Sequence, residues 1–329
     1  MDIALKLVYQ VAILFLMMLP GVVMRRAKLC CEHFAKGLSG LVLYIAQPAL
    51  IFLAYLRPYD REVFLNCIWV LVLALVAHLL FAAAAFLFYR GAPDGNRRIL
   101  RLATVFGNAA FMGVPMIGVV LGAEALLYAS VYNIVFNLFL WSLGVLICTH
   151  KKDMDGDGDH DEDDRKAIKR DILLMTRRTL LHPVTLAAAV GLVFFFFPIE
   201  NAVPALLIDA TTMLSNLVAP LAMMVIGLRL SDITFKGFFR DGYGILCIAL
   251  RHLLLPLAVI GIIKLLALSG LPISETVTKV VVILAATPIA TSASMFAERY
   301  DCDACYAGKL VTISTVLSIV TMPLLMFLI

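Results

Sequence analysis

The sequence predicts an all-α polytopic membrane protein, with ten transmembrane helices in two inverted five-helix repeats. Three observations carry that reading: a composition too apolar for water, ten apolar runs of membrane-spanning length, and interruptions at matching places in the two halves. Of 329 residues, 62% are hydrophobic and 15% charged, and the mean hydropathy is +0.98. A water-soluble domain carries about 25% charged residues, so lipid must cover most of this surface. The seven cysteines are scattered without a disulfide-like framework. Cys302 and Cys305 form a CxxC with no redox βαβ context, and read as two reduced thiols. The first apolar stretch runs to Met24 and ends in Arg25, Arg26 and Lys28. That pattern reads as a membrane span with a basic anchor rather than a cleavable signal.

Apolar runs long enough for about 30 Å of hydrocarbon fall at 3–24, 38–56, 64–89, 101–121 and 124–149. Five more follow at 180–198, 204–228, 242–267, 277–297 and 304–328. The chain therefore divides into a first repeat (1–149), an acidic and basic linker (150–179) and a second repeat (180–329). Charge sets the orientation. Lys and Arg at the odd-numbered loops number 21, against five (Lys6, Arg57, Arg61, Lys264, Lys279) on the other side. Positive loops stay cytoplasmic, so the linker is expected in the cytoplasm and both termini outside a cell membrane.

Five spans per half make the second half enter the bilayer in the opposite sense. Internal echoes agree. PALIFLAYLR (48–57) resembles PLAMMVIGLR (220–229), each with Arg nine residues after Pro, and VAHLLFA (76–82) resembles LRHLLLP (250–256). The fourth span is interrupted by GVP at 113–115 and the ninth by ATPIATSAS at 286–294. Proline removes a backbone donor, glycine relaxes the chain, and in hydrocarbon every freed group needs a partner. Paired interruptions in inverted halves mark a transporter's midplane site, where half-helix N-termini aim positive dipole ends at an anion.

The stretch GNAAFMGVPMIGVVLG followed by YNIVFNLFLWSLG resembles the auxin efflux carrier family. So do RRTLLHPVTLAAAVGLV, NLVAPLAMMVIGLRL and ATPIATSASMFAERY in the second half. The likeness spans nearly the whole chain except the acidic part of the linker. It implies a five-plus-five inverted-repeat fold, like that of sodium/proton antiporters and bile-acid transporters, with helices 4 and 9 crossing at their prolines. It further implies elevator movement of a crossover domain against a scaffold, a homodimer through that scaffold, and transport of organic anions. The linker is much shorter than in the plant members, which argues against plant-style regulation.

Site candidates follow from the interruptions. Asn108 lies seven residues before Pro115, and its amide offers donors to a carboxylate. The resemblance matches it to the family's asparagine ahead of the broken proline. Pro115 and Pro288 are assigned to the helix breaks, and Gly113 to a close approach. Thr287, Thr291, Ser292 and Ser294 cluster about the second break, where they line a site or bond back to their own helix. Asn133 and Asn137, four apart, share one face of the fifth span. The resemblance matches Asn137 to a cavity-facing polar residue. Arg251 is the one basic residue near mid-span. It either attracts an anion or staples the scaffold through carbonyls or Asp209. His78 and His252 are candidate proton shuttles or satisfied core histidines, and Gln47 and Pro48 flank the cavity from the second span.

The linker holds DMDGDGDHDEDD (153–164). Its Asp153, Asp155, Asp157, Asp159 and Asp164 approach a calcium loop, with Asp where the closing Glu belongs. A solvated acidic linker is the competing reading. There is no nucleotide-binding loop, HExxH, GxSxG or pair of intramembrane carboxylates. ATP-driven and hydrolytic chemistry are thereby disfavoured. The expected activity is secondary transport of small organic anions, without a cofactor or nucleic-acid partner and with H⁺ or Na⁺ as candidate coupling ions. A sodium-coupled bile-acid-type carrier and a transporter-fold sensor without flux are the alternatives.

Overall fold

The computed structural model describes residues 9, 12–31, 33–149, 170, 173, 177, 180–197, 203–230, 240–300 and 302–328. In chain order the first half forms α1 (Leu19–Arg26), α2 (Phe34–Tyr55), α3 (Arg61–Phe88), α4 (Asp94–Val105), α5 (Ala109–Leu121) and α6 (Glu124–Thr149). The second half forms α7 (Pro183–Phe196), α8 (Ala205–Arg229), α9 (Gly242–Leu268), α10 (Glu275–Ala285), α11 (Ser292–Arg299) and α12 (Ala304–Met326). Among the described residues, α2, α3, α6, α8, α9 and α12 are long and apolar enough to cross a membrane. Strand structure among those residues is limited to one isolated bridge. The calcium-loop residues Asp153, Asp155, Asp157, Asp159 and Asp164 lie outside the described residues.

Local chemistry sets the helix starts. Asp60 Oδ1 accepts the Glu62 N–H at 2.7 Å, Asp241 that of Gly244 at 3.0 Å, and Ser274 that of Val277 at 3.3 Å. Asp303 accepts from Tyr306 at 2.8 Å. Each cap satisfies a first-turn donor that has no partner within its own helix. Along α3, Leu65, Ile68, Leu71, Leu75 and Leu79 are exposed at helical spacing, whereas Asn66, Ala74, Ala77 and His78 are buried. The outward leucines are the face that lipid covers, and the small and polar residues pack inward.

Prolines shape the spans in a recurring way. Wide π turns at Val42–Ala46, Ala109–Gly113 and Leu250–Leu254 each end two residues before a proline: Pro48, Pro115 and Pro256. A proline within a helix lacks an N–H and its ring strikes the carbonyl four residues back. Widening the preceding turn moves that carbonyl aside, so the helix continues instead of breaking.

This corrects the placement of the fourth interruption. The expected break at Gly113–Pro115 is helical, and Pro115 sits in the first turn of the segment Val114–Leu121. The chain unwinds instead at Phe106–Asn108, where Phe106 is extended and Asn108 has φ −79° and ψ 56°. Those angles, with Ala109 N–H donating to Gly107 O at 2.8 Å, make Asn108 the centre of an inverse γ-turn. The ninth interruption falls where expected, between Ala285 and Ser292.

Packing sorts the helices into two groups. α1 lies on α8 and α7 on α2, with α8 also against α2; α3–α6 and α9–α12 pack among themselves. The groups meet where α2 touches α6 and α8 touches α5. In the first group α1 and α8 approach backbone to backbone. A Cβ added at Gly21 would lie 2.2 Å from Met224 O, and one at Gly227 would lie 2.0 Å from Met18 O. Main chain cannot swing away as a side chain can. Gly227→Leu is therefore expected to lower the melting temperature of the detergent-purified protein by more than about 5 °C, read by intrinsic fluorescence. Gly37→Ala, at a site with nothing within 4 Å of the added atom, should leave it within about 2 °C.

Candidate functional site

Both unwound segments face the same problem: backbone N–H and C=O groups released from a helix and enclosed by apolar neighbours. They solve it by pairing with each other. Asn108 N–H donates to Pro288 O at 2.7 Å and Ala290 N–H donates to Phe106 O at 2.9 Å, an antiparallel bridge centred on Gly107 and Ile289. Gly107 is required by space. A Cβ there would lie 1.7 Å from Arg251 Nη2 and 2.3 Å from Thr287 Oγ1.

Arg251 holds the crossing from behind. It is 1% exposed, and donates from Nε to Thr287 O at 3.1 Å, from Nη2 to Thr287 Oγ1 at 3.3 Å and from Nη1 to Thr104 O at 3.4 Å. Its guanidinium also lies 4.9 Å from the centre of the Phe81 ring. Of the two expected partners, carbonyls or Asp209, the structure uses carbonyls, and they belong to the two broken helices rather than to the expected scaffold. Thr104 is in the last turn of α4, and Thr287 lies just beyond the end of α10. The cation therefore sits where two helix dipoles present their negative ends.

The opposite poles open onto a cavity of about 820 Å³. Asn108, Ala109 and Ala110 at the start of α5, and Thr291 and Ser292 at the start of α11, line it. From α2 come Tyr44 and Gln47, and from α6 come Asn133, Asn137 and Trp141. Trp141 and Phe296 pack with ring centres 5.3 Å apart and form part of the apolar wall. Arg177, His182 and Arg299 also line it, and no Asp or Glu does so among the described residues.

Four enclosed polar atoms of these side chains have no hydrogen-bond partner: Gln47 Oε1, Asn108 Nδ2, Asn133 Oδ1 and Ser292 Oγ. A buried polar atom without a partner costs about 1–3 kcal/mol, and here four belong to side chains that line one cavity. The other end of the Gln47 amide has structural work. Nε2 donates to Ala110 O at 3.4 Å, the carbonyl that a residue-115 N–H would reach in the wide-turn register if proline had one. Asn137 Nδ2 donates back to Asn133 O at 2.8 Å.

The sequence candidates thus separate. Gln47, Asn108, Asn133, Asn137, Thr291 and Ser292 come together on the cavity. Thr287 and Arg251 stand behind the bridge, and the Pro288 carbonyl is part of it. Gly113 admits Leu284 and Thr287, whose side-chain atoms would lie 2.5 and 3.0 Å from an added Cβ, and Pro115 is buried. Pro48 follows the wide turn of α2. His78 bonds Ala74 O of its own helix at 2.8 Å. Sequence reasoning missed Arg299, although Ser292, Met295, Phe296 and Arg299 are spaced to share one helix face. It treated Arg177 and His182 as linker and span edge, and nothing local marks them otherwise.

Apolar helices with a crossing of unwound segments beside a mainly apolar cavity that holds several polar side chains define a multi-pass membrane transporter. The family described as "Membrane transport protein" matches residues 6–326. The chain belongs to that family, the auxin efflux carrier family that its motifs resemble. It is 27% identical over 310 residues to an uncharacterized transporter of Methanothermobacter thermautotrophicus, covering 94% of this chain and 93% of the relative. It is 24% identical over 320 residues to an uncharacterized transporter of Methanocaldococcus jannaschii, covering 95% and 96%. The family is one of transporters rather than enzymes.

Arg251→Lys should destabilise the protein despite keeping the charge, because an ammonium cannot span the Thr104 and Thr287 carbonyls as a planar fork does. The expected loss is roughly 1–3 kcal/mol, read as a lower urea midpoint in a detergent unfolding titration. A midpoint equal to wild type would mean that the fork is dispensable.

Proposed function

We infer that this transporter carries small organic anions, with carboxylates as the class, by elevator-type alternating access, and that the anion binds in the cavity at the crossing. The observation that carries this reading is electrostatic. Two helix N-termini, the side chains of Asn108 and Ser292 with their unpartnered donors Nδ2 and Oγ, and the cationic side chains Arg177 and Arg299 line one cavity to which the described residues contribute no carboxylate. A carboxylate accepts hydrogen bonds and takes the charge that two converging positive dipole ends favour. The aromatic wall of Trp141 and Phe296 suits the carbon portion of such a solute.

The ten-span inverted repeat is supported by exchange of partners between the halves, α1 on α8 and α7 on α2, and by an unwound segment in each half. In the elevator reading α1, α2, α7 and α8 form the scaffold, and the remaining helices carry substrate past it. The linker is cytoplasmic and both termini outside, from the 21-to-5 placement of basic residues. On the far side of the cavity the two groups are bonded. Tyr55 OH lies 2.7 Å from Ser130 Oγ, and Arg57 Nη1 lies 3.6 Å from Glu124 Oε2. Those contacts must part for the carrying group to slide.

A thermal-shift screen of the purified protein against acetate, malonate, succinate and phenylacetate, followed by counterflow in proteoliposomes with and without sodium, tests the function. At least one acid should stabilise the protein and exchange across the membrane. Saturable binding without counterflow would instead identify a sensor, and strict sodium dependence a sodium-coupled carrier. Asn108→Ala should raise the KM for that acid about tenfold or more, the equivalent of one hydrogen bond to a charged group, with the melting temperature nearly unchanged. Joining Tyr55→Cys to Ser130→Cys with a short bis-methanethiosulfonate cross-linker, which replaces the length of the lost phenol ring, should stop counterflow and leave binding intact, with recovery on reduction.

A further inference from the structure

In an antiparallel bridge of this type the two hydrogen bonds flank the paired residues, so Gly107 and Ile289 turn their own N–H groups away from each other. The Ile289 N–H points to α12, where Ser314 Oγ, fully buried, accepts it at 2.8 Å. Ser314 Oγ lies 2.6 Å from His252 Nε2, and His252 Nδ1 lies 2.8 Å from Thr321 Oγ1. Thr321 Oγ1 donates to Leu317 O at 3.2 Å.

One assignment leaves no proton of this chain without an acceptor: Thr321 gives its own to Leu317 O and accepts from His252 Nδ1. In a neutral ring Nε2 is then bare and accepts the Ser314 hydroxyl proton. The Ser314 lone pair is left for Ile289. The chain Ile289 to Ser314 to His252 to Thr321 to Leu317 runs in one direction, and each bond polarises the next. An imidazolium would instead aim a second N–H at Ser314, and would add a buried charge beside Arg251.

We propose that His252 is a positioning residue for the crossing: a neutral imidazole, protonated on Nδ1, that orients the Ser314 hydroxyl so that it holds the Ile289 N–H and fixes the second break. The wide turn Leu250–Leu254 thereby serves one segment twice, through Arg251 on Thr287 and through His252 on Ile289. What it fixes bears directly on the cavity, because Ala290, Thr291 and Ser292 follow in sequence and line it. The bonded relay stands without the anion reading; only its effect on transport rests on that reading.

Hydrogen–deuterium exchange of the full-length protein in detergent, without any solute, reads the Ile289 amide directly. Ser314→Ala should accelerate exchange in the segment 286–291 about tenfold or more. His252→Phe should accelerate it severalfold, and the double variant should match Ser314→Ala alone. His252→Gln, whose terminal oxygen can stand where Nε2 does, should restore most of the protection. The α3 segment 63–70 should exchange at the wild-type rate throughout, which separates local release from general unfolding. If His252→Phe does not fold, Thr321→Val, at a half-buried site, should give the same local acceleration through the loss of the Nδ1 partner. Wild-type protection in His252→Phe, an additive double variant or no recovery in His252→Gln would overturn the proposal. In proteoliposomes His252→Phe should raise the KM for malonate more than it lowers the maximal rate. Normal malonate kinetics with accelerated exchange would count against the cavity as the anion site and leave the relay standing.

Discussion

The structure depends on how two stretches of unwound backbone are satisfied in an apolar surrounding. A lone break in a buried helix leaves N–H and C=O groups that neither lipid nor aliphatic side chains can serve. Here each break supplies what the other lacks, through Asn108 N–H on Pro288 O and Ala290 N–H on Phe106 O. Neither segment is viable alone. The fold must therefore bring residues nearly two hundred positions apart into register before either half is complete. The close packing at Gly107 follows, because the bridge leaves no room for a methyl group between the segments and Arg251.

The crossing also sorts charge. Each broken helix has a negative end at the break and each following half-helix a positive start. The negative ends of α4 and α10 are collected by one arginine, and the positive starts of α5 and α11 are turned to the cavity. Arg251 is thus the counterweight that leaves the opposite poles facing the cavity. Gln47 shows the same economy on a smaller scale: the nitrogen of its amide tends the carbonyl left by Pro115, while the oxygen stays enclosed without a partner.

Much of this was legible in the amino-acid order. The long spans announce themselves because α2, α3, α6, α8, α9 and α12 are continuous and apolar. The second break was placed correctly, since Pro288 has no wide turn before it to absorb the missing donor. The first was misplaced for the converse reason. Pro115 looks like a breaker, but the turn Ala109–Gly113 accommodates it, while Phe106–Asn108 unwinds around a glycine whose need is steric and tertiary. Asn108 was recognised as a polar side chain, yet its backbone conformation was not, because only the partner strand requires it. His252 read equally as a proton carrier or a core residue. Its bonds to Ser314 and Thr321 join positions more than sixty residues apart and leave no local mark.

The choice of carbonyls as partners for Arg251 has a consequence for working conditions. A carboxylate opposite the guanidinium would bind it only while ionised, so acid on either side of the membrane would loosen the joint. Amide oxygens and a threonine hydroxyl take up no proton in any physiological range. The joint therefore keeps its strength across that range, and acid on either side of the membrane leaves the crossing fastened.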